Sequence, residues 1–451
     1  ESDSIWCNVK ASRARPVIDA ADYFEIIQVA MMNAKHRIML IGWDFDTRID
    51  LTRSRRKKGD PPKRLGDFIL WLAHRTPGLE IKLLKWNIGA LKMLGRGQTI
   101  VDVAKWAMHS QIEFKLDSAH PVGCSHHQKI VVIDDKMAAC GGIDMTADRW
   151  DTREHLDGDP KRKRPNGKPY GPWHDCTMLV EGDAAAALAV LSRARWELAG
   201  GEPLEPCPAD AASPWPEFLS AEYQFVEMGI ARTRAEYKNA WEIREIQHLF
   251  LEQIARAKKF IYAENQYFAS PKIADAIAKR MSEAEPPEII IVGPKTADGW
   301  LEQKAMDGAR AQLVRAIGEH DTKKRFAYYT PKTTGGDDIY VHAKLMIIDD
   351  RILRIGSANM NNRSLGLDSE CDIFIDCARP GNESACDNIK ALRASLIAEH
   401  VGLSAERVAQ LLDSGSSMRA IIEGATAAGP SLERLYLPEL DEAEKTIADN
   451  A

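Results

Sequence analysis

Short apolar runs alternate with stretches of helical periodicity, and the alternation occurs twice. From Ala20 to Asn33 the apolar residues Tyr23, Ile26, Ile27, Ala30 and Met31 recur at helical spacing, and Lys35-His36-Arg37 ends the pattern before the apolar run Ile38–Trp43. The same order returns later, with a helical pattern over Leu249 to Ala257 followed by the run Phe260–Ala263, which leads into Glu264-Asn265-Gln266-Tyr267-Phe268. Glu80–Leu84 and Glu288–Val292 form another matched pair. Strands alternating with helices in each half predict an α/β fold of two similar halves, each a mixed central sheet flanked by helices.

The pattern is most informative at Tyr340–Glu370. Leu345–Ile348 reads as a buried strand, and His342, Lys344 and Asp349 flank it in the spacing H-x-K-x-x-x-x-D. On a strand, residues two apart face the same way, so an imidazole and an ammonium stand side by side. The turn Gly356-Ser357-Ala358-Asn359 can then bring backbone N–H groups, a hydroxyl and an amide to an anion. A lone His-x-Lys would more often be a solvated strand edge, but His127, Lys129 and Asp134 repeat the spacing, and Gly141-Gly142-Ile143-Asp144 repeats the turn. His127 to His342 and Asp144 to Asn359 are both offset by 215 positions. Asp175 and Glu370 each open an apolar strand downstream. The chain is a duplication, and the duplicated part carries the chemistry.

These residues resemble the phospholipase D superfamily, whose members carry two such His/Lys/Asp motifs. The likeness runs from about Lys35 to Cys377 and includes GGIDM, DRWD, PWHD, ENQYF and GSANMNNRS. It implies halves related by a pseudo-twofold axis around one shared site, and a phosphohistidine mechanism. It also implies that His127 is the nucleophile and His342 the acid, although the residues' own symmetry leaves that choice open. Lys129 and Lys344 are the expected phosphate clamps, helped by Asn359, Ser357, Gly142 and Gln266. Asp144 stands where the second half has Asn359, so it is expected to hold a donor rather than face phosphate. Asp175 and Glu370 match the acids that orient each histidine. Asp134 and Asp349 complete the catalytic motifs and are expected to hold turns.

The resemblance favours a phospholipase D that releases the headgroup of phosphatidylcholine-like lipids and passes the phosphatidyl group to water or an alcohol. A cardiolipin synthase-like phosphatidyltransferase and a nuclease are the alternatives. A net charge of −6 weighs against a polynucleotide partner. No cofactor is expected. His126-His127 and His174-Asp175 could be read as metal ligands, but each motif histidine has a lysine nearby that already supplies cationic charge. His126 and His174 then read as pocket wall or core, and Trp43, Trp150, Trp173, Tyr170 and Tyr267 as packing, with some lining the pocket.

With 45% hydrophobic residues, 28% charged residues and no run of about 18 apolar residues, the chain reads as globular, with any membrane contact peripheral. A monomer that meets phospholipid at a membrane or micelle surface is the expectation that goes with the resemblance. The first residue is Glu1, so secreted and cytoplasmic locations both stay open. Cys140, Cys176, Cys371 and Cys377 sit in or beside apolar runs and read as buried thiols. Residues 201–217, rich in Pro and Ala, link a first half, 1–200, to a second, 218–451, whose tail beyond Asn388 reads as packing. Two basic segments lack a repeat partner: Thr52 to Arg64 and Asp157 to Tyr170. The second makes the His-to-acid distance 48 residues in the first half against 28 in the second. Both are expected at the surface, with Lys161-Arg162-Lys163-Arg164 steering the protein to anionic interfaces.

Overall fold

The computed structural model describes residues 3–87, 97–297, 300–425 and 429–435, with backbone alone for 300–305. Among the described residues the two predicted half-sheets are one sheet of 16 strands. In the first half Arg37–Gly42 lies parallel to Glu80–Trp86 on one side and antiparallel to Ile130–Ile133 on the other. Met137–Gly141, Cys176–Gly182 and Cys7–Ile18 follow outward. The second half repeats that order: Phe260–Asn265 lies between Glu288–Val292 and Lys344–Ile348, followed by Ile352–Gly356, Glu370–Asp376 and Tyr223–Arg234. The halves join where Cys7–Ile18 pairs antiparallel with Tyr223–Arg234. Because these central strands are covered on both faces, they read as unbroken apolar runs rather than alternating ones.

The predicted helices form at Ala20–Met32 and Glu245–Arg256, each with an apolar face against its half-sheet. Residues 201–217 form neither helix nor strand, yet they lie on the first half. The Glu205 carbonyl accepts from Arg37, the Cys207 N–H donates to Asp135, and Trp215 is buried in the first-half core. Cys140, Cys176, Cys371 and Cys377 are buried thiols.

Asp134 and Asp349 belong to this framework and stand apart from the cleft. Each follows its motif strand with φ near 55° (53° and 55°) and accepts three backbone N–H groups from the segment entering its half's central strand. Asp134 takes those of Lys35, His36 and Arg37 at 2.7–2.9 Å, and Asp349 takes those of Lys258, Lys259 and Phe260 at 2.7–2.9 Å. Their place in the catalytic motif is therefore corrected to registration of the strand beside it. Asp134→Ala strands these donors and should cost about 2–4 kcal/mol, read as a lower denaturant midpoint. An unchanged midpoint would show that water replaces the carboxylate without loss.

Candidate active site

Two crossings of the chain between halves build the site. His126 bridges to Ser369, and the N–H of His127 donates to the Ser369 carbonyl at 3.0 Å. In the other direction Tyr340–Val341 pairs with Trp173–His174, and the N–H of His342 donates to the His174 carbonyl at 2.7 Å. Each motif histidine thus sits in the segment leading into its strand, since the regular strands start at Ile130 and Lys344. Each is laid against the acid-bearing segment of the opposite half.

The acids are consequently exchanged. His127 Nδ1 lies 2.9 and 3.0 Å from the Glu370 carboxylate oxygens, and His342 Nδ1 lies 2.7 Å from Asp175 Oδ2. Both histidines line one cleft of about 790 Å³. Lys129, Arg149, Gln266, Asn359 and Arg363 share its wall, with Trp43, Trp86, Trp173 and Tyr267 as its aromatic surface. Trp173 stacks on Tyr340 and has Arg149 over its ring at 4.4 Å.

Lys129 Nζ pairs with Asp144 at 3.2 Å, and Asp144 also accepts the Trp43 N–H, so Asp144 does hold a donor. The second half differs at this point. Lys344 Nζ donates to Gln266 Oε1 at 3.0 Å and to the His342 carbonyl, and it stands behind the cleft wall. Its charge still reaches both imidazoles. Two expected substrate contacts prove to be supports. Ser357 is fully buried and donates to Glu370 Oε2 at 2.5 Å, joined by Ser364 on Oε1 at 2.6 Å. Gly142 makes room for an acid, because a Cβ there would come within 2.2 Å of Asp175 Oδ1.

Electrostatics follows from burial. Burial, then the Lys129 and Lys344 charges, holds His127 well below the usual imidazole range. Burial, Lys344 and Arg149 do the same to His342. Burial pushes Asp175 up to about 6 and Glu370 up to about 7, and lowers Lys344 to about 7. Both imidazoles are thus biased toward the neutral form in the open cleft, and a bound phosphate, by offsetting the surrounding cations, favours protonation of one of them. Acidification protonates the carboxylates that accept each Nδ1–H, and alkalinity discharges Lys344. The expected kcat/KM profile on a soluble phosphodiester is a bell near neutrality, with limbs that belong to coupled groups. A flat profile from about pH 5 to 9 would overturn this assignment.

His126 is a core residue, bonded to Ser369 Oγ at 2.7 Å and lowered to about 3 by burial. His174 is also buried, within a polar network that the sequence reading missed. His174 Nε2 meets Glu264 at 2.6 Å, His400 Nε2 meets the same carboxylate at 2.8 Å, and His155 Nε2 meets Glu399 at 2.9 Å. Among the described residues two groups could hold a cation: Asp19, His155, His174 and Glu399, and His174, Glu264 and His400, each with ligand atoms within 4.8 Å. None of these residues lines the cleft. Glu399 and His400 come from Ala385–Val401, the tail read as packing alone, where an acid beside a histidine on an apolar helix gives no local signal.

A phospholipase D family profile matches residues 30–213, and a profile described as cardiolipin synthase, PLD-like domain, matches 250–385. Phospholipase D alpha 1 of Nicotiana tabacum is 26% identical over 84% of this chain, and that of Carica papaya is 26% identical over 83%. The chain spans 64% of the tobacco protein's length and 63% of the papaya protein's. Among solved structures, phosphatidylserine synthase from Haemophilus influenzae Rd KW20 superposes with a TM-score of 0.53 at 14% identity, covering 94% of this chain and 97% of that one, a likeness of fold. Profiles of related description cover both copies of the motif and extended relatives share one name, so the chain belongs to the phospholipase D superfamily.

Proposed function

We propose that the chain is a phospholipase D, hydrolysing the distal phosphodiester of phosphatidylcholine-like glycerophospholipids to phosphatidate and free headgroup, and transferring the phosphatidyl group to alcohols. The observation that carries this reading is the exchanged pair of histidine–carboxylate couples facing one cleft with Lys129. Neutral His127 attacks phosphorus through Nε2 while Glu370 stabilises the charge forming on the ring. His342, charged once the substrate's anion is in place, protonates the departing oxygen and then, neutral, takes a proton from the entering hydroxyl. Lys129, Arg149 and Asn359 face the non-bridging oxygens.

Water or an alcohol is the acceptor. A phosphatidyltransferase would use the same intermediate with a lipid alcohol, and the likeness of residues 250–385 to a cardiolipin synthase profile supports keeping that second reading. Among the described residues no helix is long and apolar enough to cross a membrane, and the proposed lipid contact is peripheral. Headgroup release measured over a small panel of phospholipids, with DNA as control, tests the substrate class, and cleavage of DNA alone would overturn it. No step is assigned to a metal, since the site carries its own cations. Hydrolysis of a soluble phosphodiester should therefore persist in EDTA; loss that one added metal restores would refute this.

A further inference from the structure

The two basic segments without a repeat partner meet in the fold. Arg48 and Arg53, from the stretch after the first central strand, and Lys163 and Arg164, from the insertion, surround a cavity of about 300 Å³. Its floor is aromatic: Trp150 is buried, Tyr170 donates to the Trp150 carbonyl at 2.6 Å, and Arg53 lies 5.2 Å over the Trp150 ring. Thr146, Ala147 and Asp148 form a wall common to this cavity and the catalytic cleft. Two carboxylates also face it. Asp148 takes Arg164 at 2.8 Å, while Asp50 reaches Arg53 only at 3.9 Å. Arg53 Nε is buried with no acceptor, and Lys163 is exposed. Arg48 is held by buried Asp46 through two hydrogen bonds of 2.8 Å, so Arg48 and Arg164 are closely paired and Arg53 and Lys163 are the cations left to face a ligand beside the catalytic cleft.

We propose that this cavity is a second phosphate-binding subsite, taking the headgroup phosphate of an anionic phospholipid next to the molecule held in the catalytic cleft. The choice of a lipid neighbour rests on the phospholipase reading; the phosphate chemistry does not. Guanidinium groups match phosphate oxygens in pairs, and an aromatic floor keeps them from spreading into solvent. The role does not extend to all of Lys161–Arg164. Arg162 is buried, with its guanidinium on Asp151 at 3.1 Å and on the Leu156 carbonyl at 2.6 Å, so it holds the insertion in place.

The test is vesicle binding at low salt, on neutral phosphatidylcholine with and without phosphatidate. Arg53→Gln with Lys163→Gln should lose about fivefold per residue of the gain that phosphatidate brings. Arg55→Gln with Lys58→Gln, exposed changes of equal charge outside the cavity, should keep most of it. Lys163→Gln alone guards against misfolding, since that side chain is exposed. Inorganic phosphate that erases the wild-type gain without affecting the Arg53/Lys163 variant would assign the same subsite to free phosphate. Equal losses in the two double variants, or no gain for the wild type, would overturn the proposal. Binding is read without turnover, so failure of the hydrolase reading would appear separately in headgroup release.

Discussion

His127→Ala and His342→Ala should each lower kcat by about 10⁴-fold or more while leaving the fold intact. Both rings form bonds in the proposed reaction, and each is tied to the framework by its own backbone N–H as well as by its side chain, so an alanine keeps the crossing strands in place. Glu370→Gln should be milder than His127→Ala, because the amide still accepts from Nδ1 but no longer balances an imidazolium. Headgroup release on micelles, paired with the melting transition, separates lost chemistry from lost structure. Turnover near wild type in either alanine variant would refute the paired-histidine mechanism.

Ethanol or glycerol should divert product from phosphatidate to the phosphatidyl-alcohol, with the total rate little changed if formation of the intermediate is slow. In the proposed mechanism the phosphatidyl group stays on His127 after the headgroup leaves, and His342, then neutral, activates whichever hydroxyl enters. Water and alcohol then compete for one species. Two displacements at phosphorus retain configuration, whereas one inverts it. Inversion with a chiral phosphorothioate, together with the absence of any alcohol adduct, would mean that the cleft holds phosphate without bonding to it.

Much of this was legible in the residues. The constant offset of 215 positions located both motifs and both turns, because a duplication that preserves a site preserves its spacing. Asp175 and Glu370 were recognisable as acids opening strands, but which histidine each serves depends on crossings near 173 and 369 that no local pattern encodes. Ser357 and Gly142 read as substrate contacts because a turn after a strand can face a ligand or pack under a side chain, and the sequence is the same in both cases. Strand alternation puts Lys344 beside His342, yet Gln266 caps it from the bend after Phe260–Asn265. Arg162 resembled its exposed neighbours in a run of four cations, and only the fold shows Asp151 beneath it.

The exchange of acids bears on how the protein behaves on dilution. Were the halves separate chains, each would bring a histidine without its carboxylate, and a working site would exist only above the concentration at which they associate. The stretch 201–217 and the pairing of Cys7–Ile18 with Tyr223–Arg234 make that association intramolecular. One molecule alone therefore holds both histidine–carboxylate couples at any concentration.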